Sequence, residues 1–195
     1  MARALTERVS VHSARRRDSS RGFTLVELLV VVLIVSIFAT IGIVMMREYI
    51  FTAKSTEAFA VVQSIRAAEE NWKAQNGSYL NVSDSLDPTN YYPSEAQGKT
   101  KRGFYRTSTT QLDKRWRLLN PVISMQVQFG YLVIAGAAGE VPPEVPGIAS
   151  QPGFPTPIES WYLVQARGDK DEDSNHAYLV ATSFTPEIYS ENPDE

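Results

Sequence analysis

Residues 22–46 read GFTLVELLVVVLIVSIFATIGIVMM, an apolar run in which Glu27 is the only charged side chain. In an α-helix each residue adds ~1.5 Å, so the positions from Phe23 to Met46 would extend roughly 36 Å. A hydrocarbon core is about 30 Å thick. The run is also longer than the apolar region of a secretory signal peptide, and no small-residue cleavage site follows it. The sequence therefore predicts a single transmembrane helix.

The chain carries opposite net charges on the two sides of this helix. Residues 1–22 hold six arginines against two acidic side chains, a net charge of +4, while the other 173 residues hold 13 basic and 20 acidic side chains, a net charge of −7. Positive charge is retained on the cytoplasmic side of a membrane. We therefore expect a cytoplasmic N-terminus in residues 1–22 and an exported, acidic remainder from about Arg47 onward.

Glu27 is the exception within the apolar run. A carboxylate inside an apolar helix costs several kcal/mol unless a partner compensates its charge. One interpretation places Glu27 at the membrane interface, where its side chain reaches the lipid headgroups. The other is that a positively charged group pairs with it.

The heptapeptide GFTLVEL at residues 22–28, preceded by arginines and followed by an apolar helix, resembles the cleavage and N-methylation motif of type IV prepilins and type II secretion pseudopilins. The resemblance implies that a prepilin peptidase cuts after Gly22 and that Phe23 becomes the N-methylated first residue. It also implies that Glu27 pairs with the α-amino group of Phe23 in a neighbouring subunit. Residues 1–22 would be a discarded leader.

Two features depart from the pattern of many pilins. Such pilins carry a proline about twenty residues into the mature helix, where this chain has Gly42 and no proline. This difference favours a minor pilin or a pseudopilin over an abundant pilin. The chain also lacks cysteine, so the C-terminal disulfide of many pilins cannot form.

Residues 47–76 contain neither proline nor glycine and become amphipathic, which predicts one helix from about Thr24 to Gln75. Residues 23–50 would form the transmembrane or filament-core part, and residues 51–76 an amphipathic spine. The apolar stripe of the spine favours packing in the core of its own globular domain over a subunit contact. The stripe consists of Ala58, Val61, Val62, Ile65, Ala68 and Trp72. On the polar face, Arg66 with Glu70 and Glu69 with Lys73 have the spacing of i,i+4 ion pairs.

Residues 77–195 are expected to form a C-terminal head that ends in an acidic tail. Residues 77–110 are rich in Ser, Asn, Asp, Pro and Gly and predict an irregular loop. Four strands are expected after it, at Arg115–Leu119, Met125–Ala135, Trp161–Ala166 and Ala177–Phe184. The six prolines between residues 142 and 157 predict an extended loop at the sheet edge. The fold class is therefore α+β and pilin-like, with a long N-terminal helix packed on a roughly four-stranded antiparallel sheet.

Three acidic residues at alternate positions, Asp169, Asp171 and Asp173, offer hard oxygen ligands suited to calcium. The alternative is a solvated hairpin turn, and Glu69 and Glu70 are expected to be solvated as well. No other cofactor is expected. The sequence lacks nucleophile, phosphate-binding and metalloprotease motifs, so we do not expect an enzyme. Because the net charge is −7, we do not expect nucleic acid as a partner.

The sequence thus predicts a structural subunit of a type IV pilus-like filament. Its partners would be other pilins, prepilin peptidase, an assembly platform protein and an assembly ATPase. It would lie in the inner membrane as a single-pass protein and then in a periplasmic or cell-surface filament. The alternatives are a pseudopilin of a type II secretion system and a membrane-anchored periplasmic binding module that does not polymerise.

Overall fold

The computed structural model describes residues 22–94, 98–105, 110–149, 151, 153–169 and 172–192. Their elements are α1 (Leu25–Asn76), a 3-10 helix (Pro88–Asn90), β1 (Arg102–Gly103), α2 (Gln111–Leu119), β2 (Gln126–Val127), β3 (Gly130–Gly136), β4 (Trp161–Gly168), β5 (Ala177–Thr182) and β6 (Ile188–Glu191). The fold class is α+β, as the sequence predicts. The apolar N-terminal helix with a four-stranded antiparallel sheet is consistent with a pilin-like fold. Residues 1–21 of the expected leader lie outside the described residues.

The helix α1 has 52 residues and agrees with the expected bounds to within one residue at each end. The chain divides after Ile43 into two compact units. In the first unit, Leu25–Ile43 is the one segment of the described residues that is long and apolar enough to cross a membrane. All its side chains are exposed, so the described part of the chain does not bury them in a core. Such a surface requires lipid or other apolar helices around it.

The second unit, residues 44–195, is built on a sheet with the strand order β3-β4-β5-β6, in which all pairs are antiparallel. One face of this sheet packs against α1. Five members of the apolar stripe are buried in one cluster with this face, namely Ala58, Val61, Val62, Ile65 and Ala68, and Trp72 packs against the cluster. The prediction that the stripe forms the core of its own head is confirmed.

The other face of the sheet carries a second apolar cluster, which the proline-rich loop covers. Val145 and Ile148 of the loop are buried against Leu163 of β4 and Val180 of β5. The Gln165 side chain fixes the loop, because its Nε2 donates to the carbonyl of Pro146 at 2.7 Å. The prediction of a loop at the sheet edge is therefore wrong. Apolar residues on both faces of a strand require cover on both faces, and the loop supplies the outer one.

The predicted strand Arg115–Leu119 is also wrong, because these residues belong to α2. A capping box starts this helix: the Thr110 hydroxyl accepts from the backbone N–H of Asp113, and the Asp113 carboxylate accepts from the N–H of Thr110. Trp116 and Leu119 are three residues apart and both are buried, which is the spacing of a helix.

The predicted strand Met125–Ala135 is divided into two strands. Its first part, β2, pairs with β1 in a separate two-stranded sheet, and only the second part, β3, joins the main sheet. Between them the Gln128 side chain donates to the carbonyl of Lys99 at 2.6 Å. The fourth strand of the main sheet is β6, which lies in the segment expected to be a tail. The predicted strand Trp161–Ala166 is confirmed within β4, and Ala177–Phe184 is confirmed as β5 except for its last two residues, which follow the strand.

The expected i,i+4 ion-pair partners on the spine make long-range contacts instead. Arg66 donates to the carbonyls of Thr185 at 3.0 Å and Pro186 at 2.8 Å, just before β6. Lys73 Nζ lies 3.1 Å from the Glu159 carboxylate. These bonds join α1 to segments more than 80 residues away, so they hold the sheet on the helix.

The side chain of Glu69 is fully buried, whereas the sequence predicted it to be solvated. Its Oε2 accepts the backbone N–H of Leu80 at 2.9 Å, and its Oε1 has no hydrogen-bond partner among the described residues. Burial raises the pKa of Glu69 from 4.5 to about 8, with the Glu70 charge as a lesser cause. At neutral pH the group is therefore mainly a neutral acid.

Because the folded state binds this proton more tightly than the unfolded state, the contribution of Glu69 to stability is present below pH 4.5 and is lost as the pH rises to about 8. In the wild type, the free energy of unfolding should fall by on the order of 4 kcal/mol as Glu69 ionises. Glu69→Gln mimics the neutral acid, so we expect this fall to be absent in the variant. Chemical denaturation of the full chain in detergent, followed by tryptophan fluorescence between pH 5 and 9, measures this. Glu144→Gln, on an exposed glutamate of the proline-rich loop, is the matched control and leaves the slope unchanged. Equal slopes for Glu69→Gln and wild type would contradict the assignment.

Candidate processing and assembly site

A second capping box starts α1 at the motif. The backbone N–H of Glu27 donates to the Thr24 hydroxyl at 3.2 Å. In return, the Glu27 Oε2 accepts from the Thr24 N–H at 3.2 Å and from its hydroxyl at 3.1 Å. The negative charge also lies at the positive end of the helix dipole. Glu27 therefore stabilises its own helix within one chain. The T-x-x-E spacing of Thr24 and Glu27 is typical of a capping box, but the sequence analysis did not predict this role.

The peptide bond between Gly22 and Phe23 lies just before this helix, in backbone without regular secondary structure. Phe23 is 81% exposed, and among the described residues nothing lies within 4 Å of the position that a side chain on Gly22 would take. A peptidase binds its substrate as accessible, non-helical chain. The bond that the resemblance marks for cleavage has this accessibility.

The carboxylate of Glu27 keeps one oxygen available. Both bonds from Thr24 go to Oε2, and among the described residues Oε1 accepts no hydrogen bond. The side chain is exposed. The carboxylate can therefore cap its own helix and still accept a hydrogen bond from an ammonium group of another chain.

Comparison with protein families gives one match, which covers this part of the chain. Residues 17–43 match the model described as the prokaryotic N-terminal methylation motif. This motif is the signal of type IV pilins and pseudopilins, so the chain carries a pilin-type processing signal ahead of its apolar helix. Proteins with this signal are structural rather than enzymatic, and the signal with one apolar helix fits anchoring in the inner membrane before assembly. No curated protein and no solved structure matches the chain.

The candidate calcium ligands are only partly described. Asp169 is largely buried, and its carboxylate accepts backbone N–H bonds from Glu172, Asp173 and Ser174 at 2.6, 3.2 and 3.0 Å. Asp169 therefore stabilises the β4–β5 turn. The sequence alternative of a solvated turn does not hold for this side chain. Asp171 lies outside the described residues, and the described residues contain no group of three potential metal ligands. Calcium binding stays a prediction.

A cleft of about 570 Å³ lies between the end of the spine and the proline-rich loop. Its charged groups already satisfy one another, since Lys73 pairs with Glu159 and the Tyr79 hydroxyl donates to Glu70 at 3.0 Å. His176 is not among its lining residues and lies beside the carbonyl of Ser174. The cleft therefore does not combine His176 with its carboxylates, Glu70 and Glu159.

The capping box can be tested apart from the charge of Glu27. We expect Thr24→Val to remove the cap, at a cost of about 1 kcal/mol to the first helical turn, while Thr24→Ser retains it. Amide hydrogen exchange of the full chain in micelles measures this, and the amides of Glu27 and Leu28, which donate to Thr24, should exchange about fivefold faster in Thr24→Val. Equal protection in the two variants would show that the cap does not hold the helix start.

Proposed function

We propose that this protein is a structural subunit of a type IV pilus-like filament. In this proposal, prepilin peptidase removes residues 1–22, Phe23 is N-methylated, and helices packed along the filament axis form its core. The observation that carries the proposal is the match over residues 17–43 at the start of a helix whose side chains are all exposed as far as Ile43. The platform protein, the ATPase and the passage to a periplasmic or surface filament belong to the same proposal.

The pairing of Glu27 with the N-terminus of a neighbour follows from electrostatics. In an apolar filament core, an isolated carboxylate and an isolated ammonium are each costly, and together they compensate one another. Such a pair forms at one axial offset between helices, so it sets their register as a buried polar residue does in a coiled coil. The available Oε1 of Glu27 gives this partner a place to bind.

A pseudopilin of a type II secretion system is the second candidate. It is supported by α1, because its sequence contains no proline over 52 residues. Gly42 weakens the helix by about 1 kcal/mol relative to alanine, whereas a proline would weaken it by about 3 kcal/mol. A membrane-anchored binding module that does not polymerise is the candidate from another class, and it requires neither cleavage nor the Glu27 pair.

Processing is tested at the N-terminus of the protein in its own cells. Mass spectrometry of the assembled protein should find N-methyl-Phe23 as the first residue. Gly22→Leu should keep the leader, because a side chain at this position obstructs the cleavage site. The control Ser20→Leu, within the leader, should be processed as wild type. A mature protein that retains residues 1–22 would overturn the proposal.

Assembly is tested by separating the charge of Glu27 from its capping role. Glu27→Gln retains an N3 side chain that can cap the helix but loses the charge, whereas Thr24→Val loses the cap and retains the charge. We expect Glu27→Gln and Glu27→Ala to be processed, but the amount of filament recovered by shearing should fall about tenfold or more. Thr24→Val should assemble. Wild-type filament yield from Glu27→Gln would rule out the pair, whereas absence of the wild-type protein from sheared filaments would favour the module that does not polymerise. The pseudopilin would be favoured if wild-type cells form no surface filaments and cells without this protein lose protein export.

A further inference from the structure

The charges of the head are segregated along the chain. From Lys99 to Arg117, seven basic side chains occur with one acidic side chain, whereas from Glu140 to Glu195 eleven acidic side chains occur with two basic ones. A charge distribution of this kind produces a molecule with two surfaces of opposite sign if the fold keeps the segments apart.

Lys99 of the first segment lies 3.7 Å from Glu172 of the second, but helix α2 of the first segment and strand β6 of the second lie at opposite edges of the main sheet. Arg115 of α2 donates to the carbonyl of Val82 at 3.3 Å, and the next residue, Ser83, donates its N–H to the carbonyl of Val133 on β3 at 2.8 Å. Helix α2 thus lies beyond β3, which is one edge of the sheet, and β6 is the other edge. Three strand spacings, ~14 Å, separate these edges.

The surface beyond β3, here called the basic flank, consists of Lys114, Arg117, Leu118 and Val122. Both cationic residues are exposed. Leu118 is 56% exposed and Val122 is 88% exposed. Large apolar side chains beside cations, with water on their outer side, resemble the centre of a protein interface more than an ordinary solvated surface.

The opposite surface, here called the acidic flank, consists of Glu187, Ser190 and Glu191 at the β6 edge. Glu187 and Ser190 are exposed and Glu191 is half-buried. Among the described residues, no ion pair involves Lys114, Glu187 or Glu191. Each flank therefore presents charge that another molecule can compensate.

We propose that the basic flank of one copy of this chain docks on the acidic flank of a second copy. Since the two flanks are different surfaces at opposite edges of the sheet, the contact is heterologous, and each copy keeps one flank for a further neighbour. The inference rests on the proposed function, because polymerisation through α1 brings heads together at high local concentration. A polyanion such as DNA is the competing partner of the basic flank. The exposed Leu118 and Val122 favour a folded protein surface over phosphates.

The absence of cysteine from the chain allows a direct test by crosslinking. Full-length Leu118→Cys and Ser190→Cys chains are expressed separately, together, and as one double variant, and their membranes are treated with a short bis-maleimide. A heterologous contact gives dimers when the two single variants are mixed, a ladder of oligomers from the double variant, and no dimer from either single variant alone. Dimers from one single variant alone would show a two-fold contact and overturn the proposal.

Charge reversal tests the electrostatic basis. Lys114→Glu with Arg117→Glu, or Glu187→Lys with Glu191→Lys, should each lower the crosslinked fraction about tenfold or more, because attraction becomes like-charge repulsion. All four reversals in one chain restore it, which a folding defect would not. The exposed Glu144→Lys, outside both flanks, is the matched control. Unchanged crosslinking in both reversed variants would contradict the proposal.

The remaining outcomes separate this inference from its alternatives. Binding of a DNA duplex that Lys114→Glu abolishes, without mixed-variant crosslinks, would replace the second copy by a polyanion. Filaments that form without these crosslinks would overturn the flank contact and leave the proposed function intact. Crosslinks between chains that retain residues 1–22 and form no filaments would overturn the proposed function and leave the flank contact.

Discussion

The packing of one face of the sheet on the spine is the contact on which the second unit depends. The small and branched residues from Ala58 to Ala68 bring α1 close to β3, β4 and β5 and bury the aromatic side chains between them. Between Leu25 and Ile43 the same helix is exposed and none of the described residues buries it. One continuous helix thus meets a protein core over part of its length and requires an apolar environment over another part. The amphipathic pattern begins where the purely apolar pattern ends.

Sequence patterns predicted the parts of the fold that depend on periodicity. The stripe at helical spacing identified the core face of α1, and the runs of β-formers identified β4 and β5, because burial on a regular element selects apolar residues at fixed intervals. The pattern failed for α2, since its Trp and Leu favour strands when the Thr110 capping signal is overlooked. It also failed for β6, a four-residue edge strand in a polar segment, whose pairing with β5 is a tertiary effect that local sequence does not encode.

The candidate site was predictable for a different reason. Gly22, Phe23 and Glu27 form a short linear motif, so composition and spacing carry the information without knowledge of the fold. The capping role of Glu27, the burial of Glu69 and the turn around Asp169 depend on where a carboxylate finds N–H donors. Acidic residues are usually solvated, so the sequence predicts an exposed carboxylate. This prediction fails where the fold supplies backbone N–H donors or excludes water.

The contact of Arg66 with the segment before β6 has a consequence for how the head matures. Many small exported domains close their C-terminal segment with a disulfide, and their folding then depends on oxidising enzymes in the compartment. Here two hydrogen bonds from one guanidinium, to the carbonyls of Thr185 and Pro186, hold the corresponding segment on the helix. Since the chain has no thiol, the head reaches its final structure at any redox potential, and no reductant can open it.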